Sequence, residues 1–126
     1  MPMSLNYLDF DYSESGDDDT AFGTFDALAS VGPAQVAAVH AEISEVLGWA
    51  HAAFGEPGPV ADGFDWDCDL QALREYSVAD LLRYDPGRQS LVFEPGTVGA
   101  PRHTIGLSLS GSASFCEALR ERFGLD

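Results

Sequence analysis

Residues 33–54 read PAQVAAVHAEISEVLGWAHAAF, and this stretch decides the fold class. Its apolar side chains recur at helical spacing, so that at about 100° per residue they form one stripe. The stripe consists of Val36, Val39, Ile43, Leu47, Ala50 and Phe54. Proline suits the first turn of a helix, and the following GEPGP ends it, because prolines and glycines do not continue helical hydrogen bonding. The stretch therefore predicts a long helix with one face packed on a core.

Alternation of apolar and polar residues on both sides of this helix predicts strands. They fall at residues 5–13, 22–31, 64–76 and 102–110, with a hairpin over 81–95 that turns at DPGR. A short second helix is expected from Ser114, whose spacing to Glu117 matches a capping box, to Gly124. These elements predict one two-layer α+β domain over residues 1–126. About five antiparallel strands carry two helices on one face, in the order ββαβββα.

The charge of the chain is divided unevenly along the sequence. Twenty-one Asp and Glu residues stand against six arginines and no lysine, for a formal net charge of −15. The first 73 residues carry 14 of these acids and no cation, so they contribute −14 and the remaining 53 residues contribute −1. Nucleic-acid binding is disfavoured because it requires cations that neutralise phosphates. A field of this sign attracts cations or basic partner proteins instead.

Other classes are disfavoured by what the sequence lacks. No apolar run approaches the roughly 20 residues that span a bilayer, and the first residues do not resemble a signal peptide. Cys68 and Cys116 lie far apart without metal-like spacing, which favours two reduced, buried thiols. A cytoplasmic protein is therefore expected. The absence of lysine beside abundant alanine and glycine is typical of a GC-rich bacterial genome.

The leading hypothesis is a non-enzymatic binding protein whose acidic face docks on a basic protein. Alternation over residues 64–70 places three carboxylates in an outward row, and an acidic loop adds three more. Trp49 lies about 220° from the centre of the helix stripe, so it is expected to point away from the core, as a contact residue or under the 55–63 loop. The candidate binding residues are Asp65, Asp67, Asp69, Asp17, Asp18, Asp19 and Trp49. In size, charge and class the chain resembles bacterial immunity proteins and nuclease inhibitors, and also acidic secretion chaperones.

The alternative hypothesis is a small-ligand-binding or enzyme domain with a pocket between sheet and helices near His103, Trp66 and Tyr76. No catalytic residue is assigned, because no carboxylate or histidine is clearly placed in a dry cleft and no nucleophile motif is present. No cofactor and no metal site are predicted, since the Asp65-x-Asp67-x-Asp69 spacing lacks the glycine and glutamate of a calcium loop. A monomer and a homodimer both remain open.

Overall fold

The computed structural model describes residues 5–15 and 22–125, and the acidic loop with Asp17, Asp18 and Asp19 lies outside this part. The fold is α+β, with six strands and two helices. They are β1 (Asp11–Ser15), β2 (Phe22–Val31), α1 (Val36–Phe54), β3 (Trp66–Glu75), β4 (Leu81–Asp85), β5 (Ser90–Glu94), β6 (Arg102–Gly111) and α2 (Ala113–Phe123). Short 3-10 turns cover Pro33–Gln35, directly before α1, and Val60–Asp62.

Four of the strands form one antiparallel sheet in the order β1-β2-β6-β3. The remaining two, β4 and β5, pair only with each other among the described strands. The prediction of about five strands in the order ββαβββα therefore needs correction to six strands in two sheets, in the order ββαββββα. The predicted hairpin exists, but it leaves the sheet instead of joining it.

Irregular pairing explains why the hairpin leaves the sheet. Between the pairs Glu75↔Arg102 and Val78↔Val98 the outgoing chain has two residues and the returning chain three. The same mismatch recurs before the pair Leu81↔Glu94. Extra residues on one strand of a ribbon bend it and increase its twist. Residues 76–101 consequently form one long ribbon beyond the sheet, here called the arm, and the other described residues form the body.

Both helices cover one face of the four-stranded sheet. The buried strand residues alternate along β2 and β6 as Phe25, Ala27 and Ala29, and as Ile105, Leu107 and Leu109, and all belong to one core with both helices. The predicted stripe of α1 is confirmed, since Val39, Ile43 and Ala50 are buried, with Val46 beside them. The opposite face of the sheet, here called the open face, carries no described helix or strand.

Trp66, at the beginning of β3, is the largest fully buried side chain of this core. It has no exposed surface, its ring stacks on Phe115 at 5.7 Å, and its indole Nε1 donates a hydrogen bond to Gly55 O at 3.0 Å. A buried tryptophan needs such an acceptor for its N–H group. Trp66 therefore joins the end of α1, the start of β3 and the first turn of α2.

Two local predictions are wrong. Helix α2 begins two residues earlier than the capping-box spacing indicates, because Ser112 is the N-cap and its Oγ accepts from Phe115 N at 3.3 Å. The first strand begins at Asp11 and not at residue 5. The backbone N–H groups of Asn6, Tyr7 and Leu8 donate instead to the Glu42 carboxylate at 2.7–3.1 Å, which ties this segment to α1.

Candidate functional site: the open face of the sheet

The open face brings together acidic residues from strands that are distant in sequence. The strand register aligns Asp11 with Asp26, Asp26 with Ser108, and Ser108 with Asp69, so three carboxylates share one transverse row across all four strands. Asp67 lies one row further along β3, opposite Ser110. Because neighbouring strands are about 4.8 Å apart, this row is about 14 Å long. The acidic row is defined here as Asp11, Asp26 and Asp69.

A shallow cavity of about 270 Å³ lies within this row, and Asp26, Leu28, Asp69, Gln71, Gly106 and Ser108 contribute to its lining. Asp26 accepts a hydrogen bond from the Ser108 hydroxyl, which orients its carboxylate on the face. Gly106 lies between Leu28 and Gln71, and its missing side chain leaves the floor of the cavity open. The cavity thus combines two carboxylates with an apolar wall.

Leu28 is an exposed apolar side chain beside this cavity, and 73% of its surface is exposed. It projects outward because its neighbours Ala27 and Ala29 occupy the core side of β2. An exposed leucine between carboxylates is typical of the centre of a contact surface, where an apolar anchor is ringed by polar groups.

No arginine in the described ranges forms an ion pair with a carboxylate of this face. Within the described ranges 5–15 and 22–125 the one ion pair is Arg88 Nε to Asp85 Oδ2 at 3.9 Å, at the tip of the arm. Arg120 lies over the Tyr12 ring at 4.0 Å and Arg102 Nε donates to Ser30 Oγ at 2.8 Å. The carboxylates of the row therefore have no arginine partner among the residues that the structure describes.

The predicted binding residues are divided between different surfaces. Asp67 and Asp69 lie on the open face, and Asp65 is exposed just before β3. Trp49 belongs to α1, on the other side of the sheet. One flat partner surface cannot contact both groups, since the sheet separates them.

The expected direction of Trp49 is wrong. It is half-buried against the core, with its ring 5.8 Å from Phe54, 6.0 Å from Phe115 and 5.7 Å from Phe123. A helical wheel misses this because α2 packs on the side of α1 that the stripe of apolar residues leaves free. Its role as a contact residue stays a prediction.

The residues of the alternative pocket do not converge. Trp66 pairs with Gly111 at one end of the sheet, whereas His103 pairs with Arg74 near the other end. Eight residues of β6 separate these pairs, which corresponds to about 26 Å. Tyr76 is close to the His103 end and lines a different depression with Gly32, Pro33 and Arg102.

Both thiols are free. Burial raises the pKa of the Cys116 thiol above its ordinary value of 9.0, and burial followed by the charges of Asp67 and Asp69 raises that of Cys68. Thiols of this kind are poor nucleophiles because little thiolate forms near neutral pH. In the part of the chain that the structure describes, no three His, Cys, Asp or Glu side chains are grouped as a metal site requires.

The sequence reasoning missed Asp11, Asp26 and Leu28 as site residues. Their alternation on strands was visible, but the row depends on the pairing of β1 with β2 and of β6 with both β2 and β3.

Helices long and apolar enough to cross a membrane are not found among the described residues. Comparison with known proteins gave no match to any family model, curated protein or solved structure.

Proposed function

We propose that this chain is a non-enzymatic binding protein whose open face docks on a basic protein partner. The observation that supports the proposal most directly is the acidic row, in which Asp11, Asp26 and Asp69 lie across four strands without an arginine partner among the described residues. Charges arranged in this way accelerate association with a basic surface, and their effect weakens as salt screens it.

The cavity over Gly106 suits a lysine or arginine side chain of such a partner. The aliphatic stem can lie along Leu28 while the cationic head reaches Asp26 and Asp69. A guanidinium between two carboxylates forms charge-assisted hydrogen bonds, which are stronger than neutral ones. Inhibitor, immunity and chaperone roles all fall within this class. A cytoplasmic location and a bacterial source stay predictions from the sequence.

The test replaces the acidic row and compares it with a matched set of acids elsewhere. The row variant is Asp11→Asn/Asp26→Asn/Asp69→Asn, and the control is Glu45→Gln/Glu56→Gln/Asp62→Asn, whose three residues are also exposed. Both sets remove three charges, so the net charge changes equally. The probe is a fluorescent deca-arginine peptide, and its affinity is measured by anisotropy at about 50 mM and about 300 mM salt.

We expect the row variant to bind the peptide about tenfold more weakly at low salt, since each exposed charge pair contributes roughly 0.2–1 kcal/mol. The control should lose at most about twofold, through the long-range field alone. Equal weakening in both variants would show that only the total charge matters. That result, or binding that does not respond to salt, would contradict the proposal.

A further inference from the structure

The arm carries an apolar face that the body does not cover. Strand register pairs Leu82 with Phe93 and Tyr84 with Leu91, and these four side chains share one face because their positions alternate with Arg83 and Val92. Between 58% and 64% of each is exposed. Val78 and Val98 form a further bridged pair toward the base of the arm and are also exposed. The opposite face is mostly polar.

An uncovered ribbon of this kind is unusual on energetic grounds. Two-stranded hairpins are at best marginally stable in water unless a further layer covers their apolar face. The main contacts of β4 and β5 are with each other, and none of their described side chains belongs to the core or packs against it. The arm extends about 30 Å from the last pair of the sheet to its turn, given about 3.3 Å per strand residue. Among residues 5–15 and 22–125, none of the helices or strands supplies this layer.

Charge favours a second copy of this chain as that layer. The arm holds Asp80, Asp85 and Glu94 against Arg83 and Arg88, a net −1, so the other 100 residues carry −14 of the total −15. A basic partner is attracted to the acidic part and not to the nearly neutral arm. Two copies repel each other through the acids of residues 1–73, and this repulsion is weak between their arms. Antiparallel contact between arms about 30 Å long would also hold the two bodies further apart than the Debye length of about 8 Å.

The apolar area is also of the size that a dimer requires. Leaving out Leu81 on the other face, seven large apolar side chains of the arm are about half exposed: Tyr76, Val78, Leu82, Tyr84, Leu91, Phe93 and Val98. At roughly 100 Å² each they offer on the order of 700 Å² per copy, close to the roughly 800 Å² that one partner contributes to a standard protein interface. The side of the arm formed by Leu82, Tyr84, Leu91 and Phe93 includes its two largest cross-strand pairs.

We propose that the arm is a dimerisation element, and that two copies pack arm against arm through the face of Leu82, Tyr84, Leu91 and Phe93. The contact is isologous, because the same face serves both copies around a two-fold axis. Each arm supplies the second layer that the other lacks. The open faces of both bodies stay free, so the dimer presents two acidic rows to partners.

The test measures the mass of the full chain in solution by light scattering at tens of micromolar. The wild type is expected at twice the 13.5 kDa of one chain. Leu82→Gln/Phe93→Gln should weaken the dimer by at least about a hundredfold, because buried apolar residues dominate interface energies. Leu81→Gln is the matched control. This neighbouring leucine is 54% exposed, but it lies on the other face of the same strand, opposite Glu94. The Leu81→Gln variant should therefore remain dimeric.

A second measurement does not depend on whether a variant folds. Hydrogen exchange of the wild type should show amides of β4 and β5 that lose protection on dilution, while those of β6 in the middle of the sheet stay protected. A wild type with the mass of one chain would overturn the proposal and leave the arm to a different protein. Dissociation by Leu81→Gln as strong as by the double variant would overturn the assignment of the face.

The two proposals fail separately. Leu82→Gln/Phe93→Gln should bind the deca-arginine peptide as tightly per chain as the wild type, because the arm carries none of the acidic row. The row variant should in turn remain dimeric.

Discussion

The two segments of chain that form β3 and β6 in the body continue into the arm. The body and the arm differ in what covers the apolar side of these segments. In the body, the two helices bury the apolar side of β6 and the beginning of β3, where Trp66 has no exposed surface. In the arm, the continuation of both segments places Leu82 and Phe93 in water on more than half of their surface. The alternation of apolar and polar side chains is therefore a property of the paired strands themselves. Burial of the apolar side depends on a second layer that packs against it. The comparison predicts that equivalent changes cost much more in the body than in the arm.

The largest difference is expected between Trp66→Ala and Leu82→Ala. Trp66→Ala removes a fully buried ring and its hydrogen bond to Gly55 O, so it should lower the free energy of unfolding by about 3–5 kcal/mol. Leu82→Ala should lower it by less than about 0.5 kcal/mol in a dilute sample, since its side chain is 60% exposed. Urea unfolding followed by circular dichroism measures both. A loss above about 2 kcal/mol for Leu82→Ala would mean that the arm folds as part of the core.

A smaller difference is expected between two glycines that have no room for a side chain. A Cβ at Gly111 would collide with the Phe115 ring in the core, and a Cβ at Gly96 would collide with the Ala79 carbonyl in the arm. Gly111→Ala should cost about 1–3 kcal/mol of global stability through overpacking. Gly96→Ala should disturb only the arm and leave the urea midpoint of the body unchanged. Equal shifts of the midpoint in the two variants would contradict the division of the molecule into body and arm.

The smallest effect is expected for the hydrogen bonds that attach residues 6–8 to helix α1. Glu42→Gln replaces a carboxylate that accepts from three backbone N–H groups by an amide with one acceptor oxygen. Loss of charge-assisted hydrogen bonds at a half-buried position should cost about 1–2 kcal/mol. The control is Glu45→Gln on the exposed side of α1, which should change the free energy of unfolding by less than about 0.5 kcal/mol. If both variants unfold at the same urea concentration as the wild type, Glu42 does not anchor the segment.

The predictions that held from the sequence are those that depend on local pattern. Helix α1 follows from a stripe of period 3.6 and ends where glycines and prolines begin, and the turn after Asp85 follows from its Pro-Gly pair. The predictions that failed depend on neighbours elsewhere in the chain. Trp49 was assigned from α1 alone, but α2 packs beside it. Residues 5–10 alternate like a strand, yet the N–H groups of residues 6–8 donate hydrogen bonds to the Glu42 carboxylate of α1.

The candidate site divides in the same way. Asp67 and Asp69 were accessible from the sequence because they alternate with the apolar residues Trp66, Cys68 and Leu70 on one strand. Asp11 and Asp26 join them only through the strand order β1-β2-β6-β3. In this order β6, the last strand of the sheet along the sequence, lies between β2 and β3. Glu42 is the opposite case. The sequence reasoning counted it with the surface charge, but its carboxylate accepts hydrogen bonds that attach residues 6–8 to α1.

By itself the amino-acid sequence determined that the chain forms strands and helices with apolar sides, that its charge is strongly negative, and that most of this charge precedes Arg74. Only the tertiary structure decided which carboxylates share a face, which tryptophan is fully buried and where the ribbon leaves the sheet. The physical reason is that side-chain periodicity is set by backbone geometry within a few residues. Strand order, helix packing and the bulges of the arm depend on pairings between residues far apart in the chain.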